Sequence, residues 1–250
     1  MSSVHVSKTG EIATVTLARG KVNALNEPML REIKTSFQDL EKSDEVRAVI
    51  LTGRGKFFSF GFDIPELLSY SKDDFIRYLT EFSNFYSYLF LFPKPVIAAL
   101  NGHTIAAGCM LANACDLRVM VPEKAKIALN EITFGASVFA GSVAILKFCV
   151  GSRNAATILY SGAMYSPDEA ARLGLVDQIV LAENLMQAAE KAAVDFASKS
   201  AAAFSSIKGL LRGPIAEEMA TREQDSLREF ADIWYSKETW AKLQDIKIHS

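Results

Sequence analysis

The sequence predicts an α/β protein whose C-terminal region is helical. Short runs rich in Val, Ile and Leu alternate with helical periodicities through the first half of the chain. From about residue 151 nearly every segment has helical spacing. Several of the apolar runs end in glycine-containing turns, as strands of parallel βα units do.

Taken in order, VHVSKTGEIATVTLA alternates as a hairpin around a Thr9-Gly10 turn. EPMLREIKTSFQDLEKS puts Leu30, Ile33, Phe37 and Leu40 on one helical face, with Pro28 at its start. VRAVILTG is a buried strand closed by glycine. PKPVIAALNG is a second, with proline confined to its leading edge. CDLRVMVP and KIALN are a third and a fourth. The aromatic series Phe75, Tyr78, Phe82, Phe85, Tyr86 and Tyr88 to Phe92 lies on a helix that either packs the core or walls a pocket. Further on, SRNAATILYSG, SPDEAARLGL, AENLMQAAEKAAVDFASKS and TREQDSLREFADIWYSKETWAKLQDI read as helices, with a short strand at 176–181 among them.

At 250 residues, 50% hydrophobic and 22% charged, the chain is ordinary for a globular protein with a sizeable core. A net charge of −2 argues against nucleic acid as a partner. Cys109, Cys115 and Cys149 form no CxxC pair and are read as small buried hydrophobes in a reducing compartment. The N-terminus lacks a basic, apolar signal pattern, and the apolar runs are broken before about 18 residues. The expectation is a cytoplasmic protein with no membrane partner. No His, Cys or carboxylate cluster has metal-ligand spacing, so no metal site is expected. GRGK lacks the spacing of a P-loop, and His103 has no Asp or Ser beside it, so it is read as a packed or half-exposed histidine.

Chemistry is expected at three glycine-containing turns. In FFSFGFDI, Gly61 permits a sharp turn that leaves the Phe62 N–H exposed. In NGHTIAAGCMLANACD, the small residues Ala106, Ala107 and Gly108 precede a helix, whose first N–H groups favour a negatively charged oxygen. Two such donors meeting on one carbonyl oxygen would make an oxyanion hole. ALNEITFG holds Glu131, the only Asp or Glu between Lys124 and Pro167. An acid in so apolar a stretch is either a base with raised proton affinity or the partner of Lys124 or Lys126.

Five motifs stand in the order found in the crotonase superfamily, the enoyl-CoA hydratases and isomerases: NALN at 23–26, ILTGRGKFFSFGFDI, LNGHTIAAGCMLANACD, LNEITFG and SPDEAARLGLVDQIV. The chain resembles that family from the hairpin to about residue 181, and more weakly beyond. The resemblance implies a crotonase-like core of repeated ββα units over 1–190 and a helical C-terminal trimerisation region over 191–250. It implies an acyl-CoA substrate whose coenzyme A is part of the thioester rather than a bound cofactor, and a homotrimer or dimer of trimers. It assigns catalysis to Glu131 and to the N–H groups of Phe62 and Ala107. Phe60, Gly61, Asp63, Ile64, Asn130, Gly108, Ala24 and Lys56 become substrate-binding positions. Arg19, Lys21, Arg54 and Lys56 either meet the phosphates of coenzyme A or are simply solvated. Trp240 and Lys242 either reach a neighbouring subunit's site or serve helix packing.

The sequence departs from the hydratase pattern at Met110, where hydratases resembling this chain carry a second glutamate. LNE is similar instead to the mitochondrial type of Δ3,Δ2-enoyl-CoA isomerase. The segment ASVFAGS has no acid where a peroxisomal-type isomerase keeps its base. The resemblance therefore implies an isomerase with one glutamate. A hydratase or another crotonase-type lyase or hydrolase is the alternative, and an inactive CoA-binding oligomeric scaffold is the alternative outside catalysis.

Overall fold

The computed structural model describes residues 2–122 and 124–246. β1 (Val4–Thr9) and β2 (Ile12–Leu17) form the expected antiparallel hairpin. Thr9 pairs with Ile12, so the tight turn is Gly10-Glu11, one residue later than the sequence suggests. α1 (Glu27–Lys42) starts where the Asn26 side chain accepts the Met29 N–H, and it buries the predicted face of Leu30, Ile33, Phe37 and Leu40.

A repeated unit then builds the core. β3 (Ala48–Gly53) joins the first sheet, and β4 (Phe57–Ser59) leaves it for a second, followed by α2 (Ile64–Leu67) and α3 (Lys72–Leu91). β5 (Val96–Leu100) and β6 (His103–Ile105) repeat the step and lead into α4 (Ala107–Ala114). β7 (Leu117–Met120) and β8 (Ile127–Ala128) do so again, before a 3-10 turn at Glu131–Phe134 and α5 (Ala140–Ser161). After α6 (Pro167–Leu173), β9 (Gln178–Ile179) completes a six-stranded sheet ordered β1-β2-β3-β5-β7-β9; the small sheet is β4-β6-β8. Among the named strands all pairings except the hairpin are parallel, and β8 makes one antiparallel bridge, Ile127 with Tyr165. These are the repeated ββα units that the family resemblance implies.

The corners between the sheets require glycine. A Cβ on Gly53 would lie 2.3 Å from Phe57 O, and one on Gly102 would lie 2.0 Å from Lys56 O. The second strand of each unit is only two or three residues long, too short for a period-2 pattern in the sequence.

α7 (Leu185–Ala197) packs on the large sheet, and α8 (Ala201–Trp234) packs on α3 and α5 of its own chain before α9 (Lys237–Gln244). The expected division at 190/191 thus falls inside α7, and residues 247–250 of the expected C-terminal region lie outside the described residues. The helices predicted from about 151 and about 221 are later parts of longer ones. α5 begins at Ala140 and breaks at Gly151, where φ is 75°, while α8 runs from Ala201 through Pro214. Among the described residues, no helix is long and apolar enough to cross a membrane.

Candidate active site

The turn after β4 is held by the segment that carries NALN. Asn23, with φ of 51°, donates through Nδ2 to Phe57 O at 2.9 Å and accepts the Arg19 N–H at 3.1 Å. Phe60 N donates to Val22 O, Leu25 N to Gly61 O and Asp63 N to Leu25 O, so 22–25 runs like an edge strand beside 60–63. Gly61 has φ of 94°, a conformation that costs a residue with a Cβ. The amides of Phe60, Gly61, Asp63 and Ile64 have acceptors here, yet among the described residues the Phe62 N–H has none.

The second turn lies against the first. Ala106 N donates to Ala128 O at 2.8 Å, and Met110 N closes the first turn of α4 on Ala106 O at 3.0 Å. Ala107 opens the helix, so its N–H has no intrahelical partner and finds no other among the described residues. To turn the chain this way, Ala106 takes φ 50° and ψ −121°, strain worth about 1–3 kcal/mol. A Cβ on Gly61 would lie 2.9 Å from Ile105 O and 3.1 Å from Ala107 N. Gly61 and Gly108 thereby let the turns close together, since a Cβ on Gly108 would meet Ser59 O at 2.5 Å.

Glu131 heads the 3-10 turn that follows β8. It is 6% exposed, makes no ion pair among the described residues, and its Oε2 has no hydrogen-bond partner. The alternative pairing with Lys124 or Lys126 is therefore not formed. Burial pushes its carboxyl from the ordinary 4.5 up to about 7.

Phe62, the Ala106 turn and Glu131 border a cavity of about 230 Å³, which Ala107 itself does not line; Glu131 also borders a second, of about 610 Å³, with Ile132, Gly135 and Ala136. Phe62, Ala106, Met110, Asn130 and Glu131 line the first, and Glu131 is the only acid among its described lining residues. Phe60, Ile64, Ile105, Phe134, Phe230, Trp234 and Ile246 make the rest apolar. Asn130 Oδ1 and Trp234 Nε1 are buried and have no hydrogen-bond partner among the described residues. A carbonyl oxygen held by two amide dipoles, beside a buried carboxylate of raised proton affinity, is suited to abstraction of a proton next to a thioester.

A family model described as enoyl-CoA hydratase/isomerase matches residues 7–240. The chain belongs to the enoyl-CoA hydratase/isomerase family. It is 34% identical over 195 residues to a short-chain-enoyl-CoA hydratase of Clostridium acetobutylicum, covering 77% of this chain and 74% of the relative. It is 34% identical over 194 residues to the mitochondrial enoyl-CoA hydratase of Pongo abelii, covering 77% and 66%. The crystal structure of human mitochondrial delta3-delta2-enoyl-CoA isomerase superposes with a TM-score of 0.93 at 26% identity, covering 97% of this chain and 95% of that one.

The remaining positions suggested by family resemblance lie at different distances from the chemistry. Phe60, Ile64 and Asn130 border the cavity; Asp63, Ala24 and Lys56 do not. Asp63 is committed to Arg19 Nη1 at 2.6 Å and accepts the Glu66 N–H at the start of α2. Arg19 also donates to Ala24 O at 2.9 Å, so this arginine braces the turn rather than standing free for a phosphate. Lys21, Arg54 and Lys56 are exposed. Trp240 stacks on Tyr235 at 5.1 Å, and Lys242 pairs with Glu238 at 2.9 Å.

Of the two readings of the α3 aromatic series, core packing is the one the structure bears out, and the cavity is lined by residues that the sequence reading passed over. Phe75, Phe82 and Tyr86 of α3 do not line the cavity; they are core side chains standing behind it. Phe82 packs on Phe62 at 4.8 Å, and Phe75 on Trp234 at 4.7 Å. Phe230 and Trp234 of α8 line the cavity instead. Their i, i+4 spacing in REFADIW was the available signal, since it puts both rings on one helical face.

Proposed function

We propose that the protein is an enoyl-CoA isomerase that moves a double bond from C3 to C2 of an acyl-CoA, with Glu131 as its one acid–base group. The observation that carries this reading is Met110: it borders the cavity beside Glu131 and cannot transfer a proton. In the proposed reaction the Glu131 carboxylate takes a proton from C2. The electron pair moves through the thioester and the C3–C4 double bond as a dienolate, whose oxygen accepts from the Phe62 and Ala107 N–H groups. The Glu131 carboxyl then returns the proton to C4, leaving a double bond conjugated with the thioester. Each N–H donor is expected to contribute about 3–4 kcal/mol to the dienolate-like transition state.

Hydration of a 2-enoyl-CoA is the second reading, favoured by the names of the relatives at 34% identity. It requires Glu131 to orient water and transfer protons without a second carboxylate. Absorbance of the conjugated thioester separates the two. Isomerisation of 3-enoyl-CoA raises it, whereas hydration of 2-enoyl-CoA lowers it. A rise that is lost in Glu131→Gln, with no hydration by the native protein, is the expected result. Hydration without isomerisation would replace the first reading by the second.

A homotrimer or dimer of trimers belongs to the same proposal. Ile207, Leu210 and Leu211 on α8 are 58%, 76% and 59% exposed, an apolar face of the kind a second copy covers. Light scattering on the purified protein is the check.

A further inference from the structure

We propose that Thr239 is a positioning residue for Glu131, acting through the Gly135 carbonyl; the inference rests on the reading of Glu131 as the acid–base group. Glu131 sits on a single 3-10 turn, an element with few bonds of its own. Three carbonyls of the segment are tied up internally. Asn130 O accepts from Thr133 N at 3.0 Å and Thr133 Oγ1 at 2.7 Å, Ile132 O from Gly135 N at 3.1 Å, and Glu131 O from Ala136 N at 3.0 Å. Gly135, at φ 84°, closes the turn. Its own carbonyl accepts from Thr239 Oγ1 at 2.8 Å, across 104 residues of chain.

Thr239 is well placed to hold that bond. It is 3% exposed and lies in the first turn of α9, where its N–H is capped by Ser236 Oγ at 3.4 Å. The fit is close, because a Cβ on Gly135 would come within 3.0 Å of Thr239 Oγ1. α9 is also joined to the walls of the site. Phe230 and Trp234 precede it, Ile246 follows it, and all three border the cavity that Glu131 shares. The last two helices therefore touch the substrate cavity and the turn that carries its base. A base displaced by a fraction of an ångström from the reacting carbon loses rate without losing substrate affinity.

The experiment compares Thr239→Val, which keeps the shape and removes the hydroxyl, with Thr239→Ser, which keeps the hydroxyl. Turnover of 3-enoyl-CoA is measured alongside the melting temperature. In Thr239→Val, kcat is expected to fall about tenfold while KM stays within about twofold, and Thr239→Ser is expected to stay within about threefold of the native kcat. Unchanged kcat in Thr239→Val, or an equal loss in Thr239→Ser, overturns the proposal, since packing alone would then account for the residue. A second readout does not need turnover: carbon-13 resonance of protein labelled at glutamate Cδ, with Glu131 assigned by its absence in Glu131→Gln. The midpoint is expected near 7 in the native protein and in Thr239→Ser, and lower in Thr239→Val as the loosened turn admits water. If the native protein turns over no 3-enoyl-CoA, the isomerase reading fails. The Thr239 proposal is then decided by this titration, and an unmoved midpoint in Thr239→Val overturns it.

Discussion

Met110 and Glu131 line the same cavity, and of the two only Glu131 can carry a proton. That contrast makes Met110→Glu the most informative gain-of-function change. A second carboxylate would give water an additional hydrogen-bond acceptor, and general acid–base groups contribute about 10²–10⁴-fold. Met110→Glu is expected to raise hydration of 2-enoyl-CoA at least about tenfold over the native level, read as loss of conjugated-thioester absorbance. A folded variant with no gain would mean that the cavity cannot seat the water.

The acid limb of the pH profile should belong to Glu131. Burial raises its carboxyl to about 7, and proton abstraction requires the ionised form. Isomerisation kcat/KM is thus expected to rise as pH increases through about 7 and to level off above it. A limb centred near 4.5, the ordinary value, would mean that water solvates the carboxylate in the free enzyme.

The same shift links stability to pH. Below 4.5 the carboxyl is protonated in both folded and unfolded chains. As pH rises towards 7 the unfolded chain releases its proton first, so folding loses stability; above 7 the loss is constant. Glu131→Gln removes this dependence. Relative to native protein, the variant is expected to gain about 3 kcal/mol between pH 4.5 and 8, measured by urea unfolding at each pH. A difference that stays flat with pH would show that Glu131 titrates alike in both states. Loss of activity with gain of stability in one variant would also separate the catalytic role of this acid from a structural one.

Much of this site is legible in the sequence because its parts are local. Gly61, the small residues at 106–108 and the isolated Glu131 each sit within a few residues of a strand end, where turn chemistry is written in consecutive letters. β3 and β5 are equally plain, being largely apolar runs buried on both faces. Partnerships across the chain are not. Nothing near Asp63 announces that Arg19 claims it, and nothing near Gly135 announces Thr239. The aromatic spacing of α3 leaves core packing and a pocket wall both open, because buried rings in the core and rings around a cavity have the same spacing; the structure puts these rings in the core.

Gly61→Ala tests the abutment of the two donor turns. The added methyl would contact Ile105 O at 2.9 Å and Ala107 N at 3.1 Å, on a backbone with φ of 94°. Relief can come only by moving the turns apart, which spoils the geometry of both donors together. Loss of one oxyanion donor costs about 10²–10³-fold in kcat, and Gly61→Ala is expected to lose at least that much. A cleared protein with near-native kcat would remove these turns from the mechanism.

Asp116 decides whether α8 stays where the cavity needs it. Its carboxylate takes Lys208 Nζ at 2.7 Å and Arg212 Nη2 at 2.9 Å; Lys208 and Arg212 are buried, and the Asp116 side chain is 9% exposed. Arg212 donates further to Phe90 O at 2.8 Å and Ala114 O at 2.9 Å. The cluster thus fixes α8 to the ends of α3 and α4, about five helical turns before Phe230 and Trp234 reach the cavity. Asp116→Ala leaves two buried cations without their counter-ion, and is expected to destabilise the fold by about 3–5 kcal/mol in urea unfolding. Replacing all three by apolar residues of similar size is expected to be nearly neutral or stabilising, because the desolvation cost goes with the charges. The combination discriminates between two roles for the cluster. If the apolar triple variant is stable and keeps native KM across acyl chain lengths, the ions add only stability. If it is stable but its chain-length preference broadens, the fixed geometry of the ion pairs is what sets the register of α8, and with it the depth at which Phe230 and Trp234 close the cavity.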